Sequence, residues 1–290
     1  MRLIPLAFCA LTLLSQPALA QSSAPPRLQQ LEQRLAATAL DNPGEFGIAA
    51  IDLANGNLVA FNGDTAFPMA STVKVAVAAT YLSQVDAGQR SLSDMISGET
   101  AADLMNRMIT HSDNHATDLL LAALGGPATV DAWIHRNGLA GIRVDRTIAQ
   151  LLADKRDLRD IRDSSTPKAM LSLLQLIDTG HVLTPQSRLT LLDMMRRCAT
   201  GTNRIRALLP PGTPVEHKTG TLSGLSGDVA FVTMPDGRRI AMAIFARGGG
   251  NRPGVIATMA RAIYDAFAPA PTTVARLAAP GGASIDGTAR

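Results

Sequence analysis

Apolar positions along this chain change their spacing twice. Between Arg27 and Leu40, leucines recur at 28, 31 and 35 among polar residues, the three-to-four spacing of an amphipathic helix. Asp41-Asn42-Pro43-Gly44 breaks it. Residues 45–53 and 57–61 are short apolar runs on either side of Ala54-Asn55-Gly56, and Asn-Gly between such runs predicts a hairpin. From Met69 to Leu209, alanine- and leucine-rich stretches separated by Gly, Pro and Asp clusters predict a series of helices. Strand character returns at 215–219, 226–234 and 239–246, the last two joined at Pro235-Asp236-Gly237. A helix over 253–267 follows, opening on a proline suited to a first turn and carrying Ile256, Met259, Ala260 and Ile263 on one face. An isolated hairpin is marginal in water, so strands from both ends must share one sheet. The prediction is an α+β fold: an antiparallel sheet flanked by terminal helices, with an all-helical lobe inserted. The expected bounds are 27–64 plus 211–268 for the α/β lobe and 65–210 for the helical lobe. Residues 269–290, rich in Ala, Pro, Gly and Thr, predict a disordered tail.

The first twenty residues follow a different rule. Arg2 supplies a positive start, Leu3 to Leu14 is apolar apart from Pro5 and Thr12, and Ala18-Leu19-Ala20 is a small-residue cleavage site. This predicts a signal peptide over 1–20 and a periplasmic or secreted protein. The apolar run is too short for a bilayer span, and no longer one follows, so no membrane attachment is expected after cleavage. Cleavage leaves Cys198 as the one cysteine, which excludes an intrachain disulfide and predicts a buried thiol. The remaining chain is close to neutral, with scattered basic residues and only 3% aromatics, which argues against a nucleic-acid partner.

Three short motifs carry the chemistry. Ser71-Thr72-Val73-Lys74 stands at a predicted helix start, where residues three apart share a face and an amine with a depressed pKa can take a serine proton. By itself this is equally a helix cap followed by a surface lysine. Ser112-Asp113-Asn114 ends a second apolar helix, and Lys218-Thr219-Gly220-Thr221 lies on a predicted edge strand. A serine there can relay a proton to a leaving group, a lysine can attract a substrate carboxylate, and an edge strand can pair with an extended amide. No metal or cofactor is expected. Of His111, His115, His135, His181 and His217, only the first two have helical spacing, and the glutamate of a zinc motif is absent. His217 precedes Lys218 and can tune it weakly; Trp133 reads as core.

In that order, the three motifs resemble those of the class A serine β-lactamases and penicillin-binding proteins, and the likeness to class A covers roughly 27–268. The resemblance implies the β-lactamase/transpeptidase-like fold, with Ser71, Lys74, Ser112 and Lys218 as catalytic residues. It implies Asn114, Thr219, Gly220, Thr221 and Arg204 as substrate contacts, an oxyanion hole from the Ser71 and Thr221 amides, and an Arg146–Asp163 salt bridge closing an Ω-shaped loop. The partner implied is a small β-lactam or a peptidoglycan stem peptide, met by a monomer. Two departures stand out. Ile148 occupies the position where the family carries the glutamate that activates the deacylating water, and no glutamate occurs between Glu99 and Glu216. The segment between Ser71 and Ser112 is also short, which predicts a more open cleft. Acylation is therefore expected to be intact and deacylation slow. Asp154, Asp157 or Asp160 could replace the base, Lys74 could serve both steps, or the acyl-enzyme could persist. The alternatives to a β-lactamase are a penicillin-binding DD-peptidase-like protein and a binding module that is acylated without turnover.

Overall fold

The structure, a computed structural model, describes residues 25–155 and 157–269. The expected signal peptide and all but the first residue of the expected tail lie outside them. Helix α1 (Pro26–Leu40) buries Leu28, Leu31 and Leu35 and leads into β1 (Glu45–Asp52) and β2 (Leu58–Phe61). Two-residue β3 (Phe67–Pro68) precedes a 3-10 turn at Ala70–Val73 and α2 (Lys74–Asp86). Next come β4 (Met95–Ile96), β5 (Glu99–Thr100), α3 (Ala101–Thr110), α4 (Asn114–Leu124), α5 (Pro127–Arg136) and α6 (Ile148–Ala153). The chain then passes through β6 (Ser164–Ser165), α7 (Pro167–Thr179), α8 (Pro185–Arg196) and a second 3-10 turn at Ile205–Leu208. It ends with β7 (Val215–Leu222), β8 (Leu225–Thr233), β9 (Arg239–Arg247) and α9 (Arg252–Phe267).

The sheet runs β2-β1-β9-β8-β7 and is antiparallel throughout, so the N-terminal hairpin joins the C-terminal strands through β1 against β9. Both faces are covered. Successive strand residues point to opposite faces, and here both sets are apolar. Ile48, Val232, Met242 and Ile244 pack with the inner faces of α1 and α9, while Ala49, Val229, Ala243 and Phe245 join the core of α7 and the inserted helices.

Two features of this frame place the site. Helix α2 is buried continuously from Lys74 to Leu82, which fixes the 3-10 turn ahead of it. Strand β7 is a sheet edge running past that turn, and it extends to Leu222, three residues beyond the strand expected from sequence.

Candidate active site

The Ser71 turn is held from three sides. The Met69 amide donates to the Asp163 carbonyl at 2.9 Å, and the Thr72 hydroxyl donates to the Met69 carbonyl at 2.8 Å. Ala70 has φ of 47°, a left-handed conformation costing roughly 1–3 kcal/mol for a residue with a side chain, so the surroundings over-determine it. A Cβ on Gly220 would lie 2.4 Å from the Met69 carbonyl oxygen, so only glycine lets β7 pass this close to the turn. Three residues per 3-10 turn bring Ser71 and Lys74 to one face.

Lys74 is fully buried, and its amine turns towards the segment linking α3 to α4. It donates to the Ser112 carbonyl and to Asn114 Oδ1, both at 2.7 Å, and lies 3.3 Å from Ser112 Oγ. Among the described residues Ser71 Oγ makes no hydrogen bond, so the expected direct Ser71–Lys74 contact is not formed. Ser112 lies between the helices rather than at the end of one and has φ of 60°. Asp113 caps α4, accepting from the Ala116 amide at 3.0 Å. Lys218, also fully buried, donates to Ser112 Oγ at 3.0 Å and to the Thr219 carbonyl at 2.9 Å. One serine hydroxyl thus stands between two amines.

Both amines sit below the usual lysine range. Burial is the main cause for Lys74, and the Lys218 charge adds to it; the Asp113 and Asp118 carboxylates work the other way, leaving about 7. Burial pulls Lys218 to about 8, with Arg204 adding to the fall and the charges of Cys198 and Asp228 opposing it. A neutral Lys74 keeps two N–H bonds for its two 2.7 Å acceptors and has a free lone pair. That makes it a base at neutral pH.

Arg204 is buried beneath β7. Its guanidinium donates to the Gly220 carbonyl at 2.9 Å, the Gly227 carbonyl at 2.7 Å and Thr221 Oγ1 at 2.7 Å, bracing the strand on which Thr219, Gly220 and Thr221 lie. Thr219 Oγ1 is 2.5 Å from Thr200 Oγ1. Ser71 opens onto a small cavity, about 40 Å³, lined also by Ala70, Asn114, Ile148, Leu151, Leu152, Thr221 and Leu222.

Residues 30–267 match the model of the family described as the Beta-lactamase enzyme family. The chain belongs to this family. Among solved structures it resembles a β-lactamase from Chitinophaga pinensis DSM 2588, with 30% identity, a TM-score of 0.77 and coverage of 82% of this chain and 99% of that one. It is also similar to the class A β-lactamase of the last common ancestor of Gram-negative bacteria, with 35% identity, a TM-score of 0.78 and coverage of 82% and 99%. The related ancestral class A β-lactamase gives 34% identity, a TM-score of 0.78 and coverage of 82% and 100%. The fold and the class A-like membership expected from the three motifs hold.

Within this β-lactamase family fold the loop after α5 closes as the resemblance implied. Arg146 Nε donates to Asp163 Oδ2 at 2.6 Å, and Asp163 Oδ1 accepts from the Asp145 and Arg146 amides at 2.8 and 3.0 Å. The loop aspartates are tied up nearby. Asp154 pairs with Arg146 and, more loosely, Arg162; Asp160 pairs with both arginines, and Arg162 holds its pKa at about 2; Asp157 accepts from the Arg159 amide. None of the three lines the Ser71 cavity. Ile148 does, buried against the helical core. Its backbone is held by a group that sequence reading missed. Asp118, one turn beyond Asn114 on α4, accepts from the Ile148 amide at 2.7 Å and the Ala149 amide at 2.9 Å. The i,i+4 spacing of Asn114 and Asp118 was the available signal.

Proposed function

We propose that this β-lactamase-family protein opens β-lactam rings, or related acyl-D-alanyl amides, through an acyl-enzyme on Ser71, and that the acyl-enzyme is released slowly. The observation that carries the first half is Ser112 Oγ, shared between Lys74 and Lys218 beside the Ser71 cavity. Lys74, once its proton is lost near pH 7, takes the Ser71 proton, directly or through Ser112. Ser71 Oγ attacks the amide carbonyl, the carbonyl carbon–nitrogen bond breaks, and Ser112 passes a proton to the departing nitrogen. Lys218 attracts the substrate carboxylate, and the edge of β7 pairs with the extended amide. Arg204 contributes by holding the Gly220 carbonyl and Thr221 hydroxyl in place. The Ser71 and Thr221 amides would stabilise the developing oxyanion, usually the largest electrostatic contribution to acyl transfer.

The second half rests on the apolar wall. The cavity beside Ser71 is large enough for a water molecule, which needs two to four polar partners. Ser71, Asn114 and Thr221 can hold it on one side, but Ile148, Leu151, Leu152 and Leu222 supply no partner on the other, and no carboxylate lines the space to take its proton. This favours a long-lived acyl-enzyme, as in a penicillin-binding protein or a β-lactam-binding module, over rapid turnover, with Lys74 as the remaining base. Both substrate classes lie outside the cytoplasm, which fits export as a monomer through residues 1–20; N-terminal sequencing of the exported chain should begin at Gln21.

The test is intact-mass spectrometry after mixing with a penicillin, alongside hydrolysis rates. A covalent adduct on Ser71 that decays with measurable turnover supports the hydrolase. A stable adduct supports the penicillin-binding or module reading, and D-alanine release from a stem-peptide mimic divides those two. Absence of any adduct on Ser71 refutes the whole reading.

A further inference from the structure

Beneath the loop that Arg146 and Asp163 close lies a second cavity, about 20 Å³, which the chemistry above does not use. Arg146, Asp157, Asp160 and Arg162 give it a polar lining, and Leu151 and Leu222 an apolar one. A water molecule needs roughly 10–15 Å³ of such space and two to four polar partners. Both conditions are met here, since the two carboxylates can accept from a water and the two guanidiniums can donate to it. Leu151 and Leu222 also line the Ser71 cavity, and among the described residues no other side chain is common to the two spaces. A charged cavity and a largely apolar one therefore adjoin, with two leucines between them. They come from different elements. Leu151 is on α6, whose start is fixed by the Thr147–Gln150 cap and by Asp118, and Leu222 ends β7 opposite Leu225. Both are only partly buried, so each has room to move.

We propose that Leu151 and Leu222 form a hydrophobic gate through which water passes from the polar cavity to the acyl-enzyme on Ser71. When a β-lactam ring opens, the departing nitrogen stays attached to the acyl group. The face it leaves therefore remains covered, and water has to arrive from another side. The loop side offers a water-sized polar space with two apolar side chains in the way. Hydrolysis then adds the water oxygen to the ester carbonyl and breaks the bond to Ser71 Oγ. Ser71 recovers a proton from that water by way of Lys74, and the ring-opened acid departs. A water crossing the leucines gives up its polar partners, and that loss is the barrier the gate imposes. The gate is distinct from the base missing at position 148. One decides whether water reaches the ester, the other whether it is activated there.

This inference rests on the acyl-enzyme reading above, so its test has one arm that involves no substrate. A crystal structure of the wild type should show an ordered water in the polar cavity and none between the leucines. In Leu151→Ala, ordered water should continue from that cavity into the one beside Ser71. In the kinetic arm, mass spectrometry follows decay of the penicillin adduct on Ser71 separately from its formation. Leu151→Ala and Leu222→Ala should each release the acyl group about tenfold faster, the scale set by removing the need to swing one side chain out of its rotamer well. Leu151→Met, which keeps the volume, should restore slow release. Leu152→Ala enlarges the Ser71 cavity without opening the partition, because Leu152 does not line the polar cavity, and should speed release clearly less than Leu151→Ala. Equal acceleration in those two variants would mean that cavity size alone matters and would refute the gate. Release unmoved in both Leu151→Ala and Leu222→Ala refutes it too, as does a polar cavity without water in the wild type. If wild type is not acylated at all, the function proposed above fails, and the water positions still decide whether the leucines separate two cavities.

Discussion

Replacing Ile148 with glutamate is the sharpest way to separate the two halves of the proposed reaction. The residue is buried beside Ser71, and its backbone is fixed by Asp118, so a new carboxylate at this position would face the same cavity. A positioned general base is worth about 10²–10⁴-fold, which is roughly 3–5 kcal/mol of barrier. Two costs come out of the structure. Loss of the buried isoleucine removes roughly 1.5–3 kcal/mol of apolar burial. Burial and the like charge of Asp118 both raise the new carboxyl's pKa, so only part of the population carries the base at pH 7. The net expectation is a deacylation rate at least tenfold faster with acylation little changed, in a protein of lower melting temperature.

The assay is time-resolved mass spectrometry of the Ser71 adduct after a stoichiometric pulse of penicillin, which reads release separately from formation. Asp118→Asn in the Ile148→Glu background removes the like charge while keeping an acceptor for one of the two amides, and should accelerate release further. If both variants are folded and acylated but release no faster than wild type, the missing carboxylate is not what limits deacylation. If the wild type already turns over rapidly, a base other than residue 148 is at work, and the argument from the apolar wall fails.

Other consequences are simpler to check. Acylation should follow a bell in pH: it rises as Lys74 loses its proton near 7 and falls as Lys218 loses its own near 8, by up to about tenfold per unit on either side. A rate constant flat from pH 5 to 10 would contradict both assignments. Gly220→Ala should cut acylation of Ser71 by about 100-fold or more, because the added methyl meets the Met69 carbonyl and moves β7 off the turn; an unchanged acylation rate would show that the close approach is dispensable. Arg146→Ala leaves Asp163 at the loop closure without its guanidinium and should cost about 3–5 kcal/mol, or roughly 6–20 °C in melting temperature, read by calorimetry.

Much of this was legible in the sequence because it is encoded locally. The hairpin at Asn55-Gly56, the spacing of Leu28, Leu31 and Leu35, and the order of the three motifs each depend on residues within a few positions of one another. The partners of those motifs depend on the fold. That Lys74 turns to Ser112 and Asn114 instead of Ser71, or that Asp118 holds the backbone of residue 148, follows from the approach of α2, α4 and α6, which no local spacing reports. His217 shows the limit most clearly. Next to Lys218 it reads as a strand residue of weak influence, and its buried partner Asp228, 3.0 Å from Nδ1, is brought to it only by the pairing of β7 with β8. The loop aspartates show the same limit: their alternation with arginines is plain in sequence, but which arginine pairs with which aspartate is set by closure at Asp163.

The loop that carries position 148 is held without any contact from the side chain there. The groups proposed to acylate are set by elements the fold cannot spare: Lys74 begins the most buried helix, and Lys218 lies on a strand whose glycine is fixed by contact with the Ser71 turn. Position 148 is held differently. Thr147 and Gln150 form a reciprocal cap at the start of α6, Asp118 binds the two following amides, and Arg146 pins the loop to Asp163. None of these contacts uses the side chain at 148. An isoleucine there gains burial against the helical core at no cost to any of them, whereas Lys74, Ser112 and Lys218 are tied to one another through their side chains. On the proposed reading, the amines and hydroxyl assigned to acylation are bound into the fold while the side chain at 148 is not, which is the physical basis for expecting acylation to outlast release.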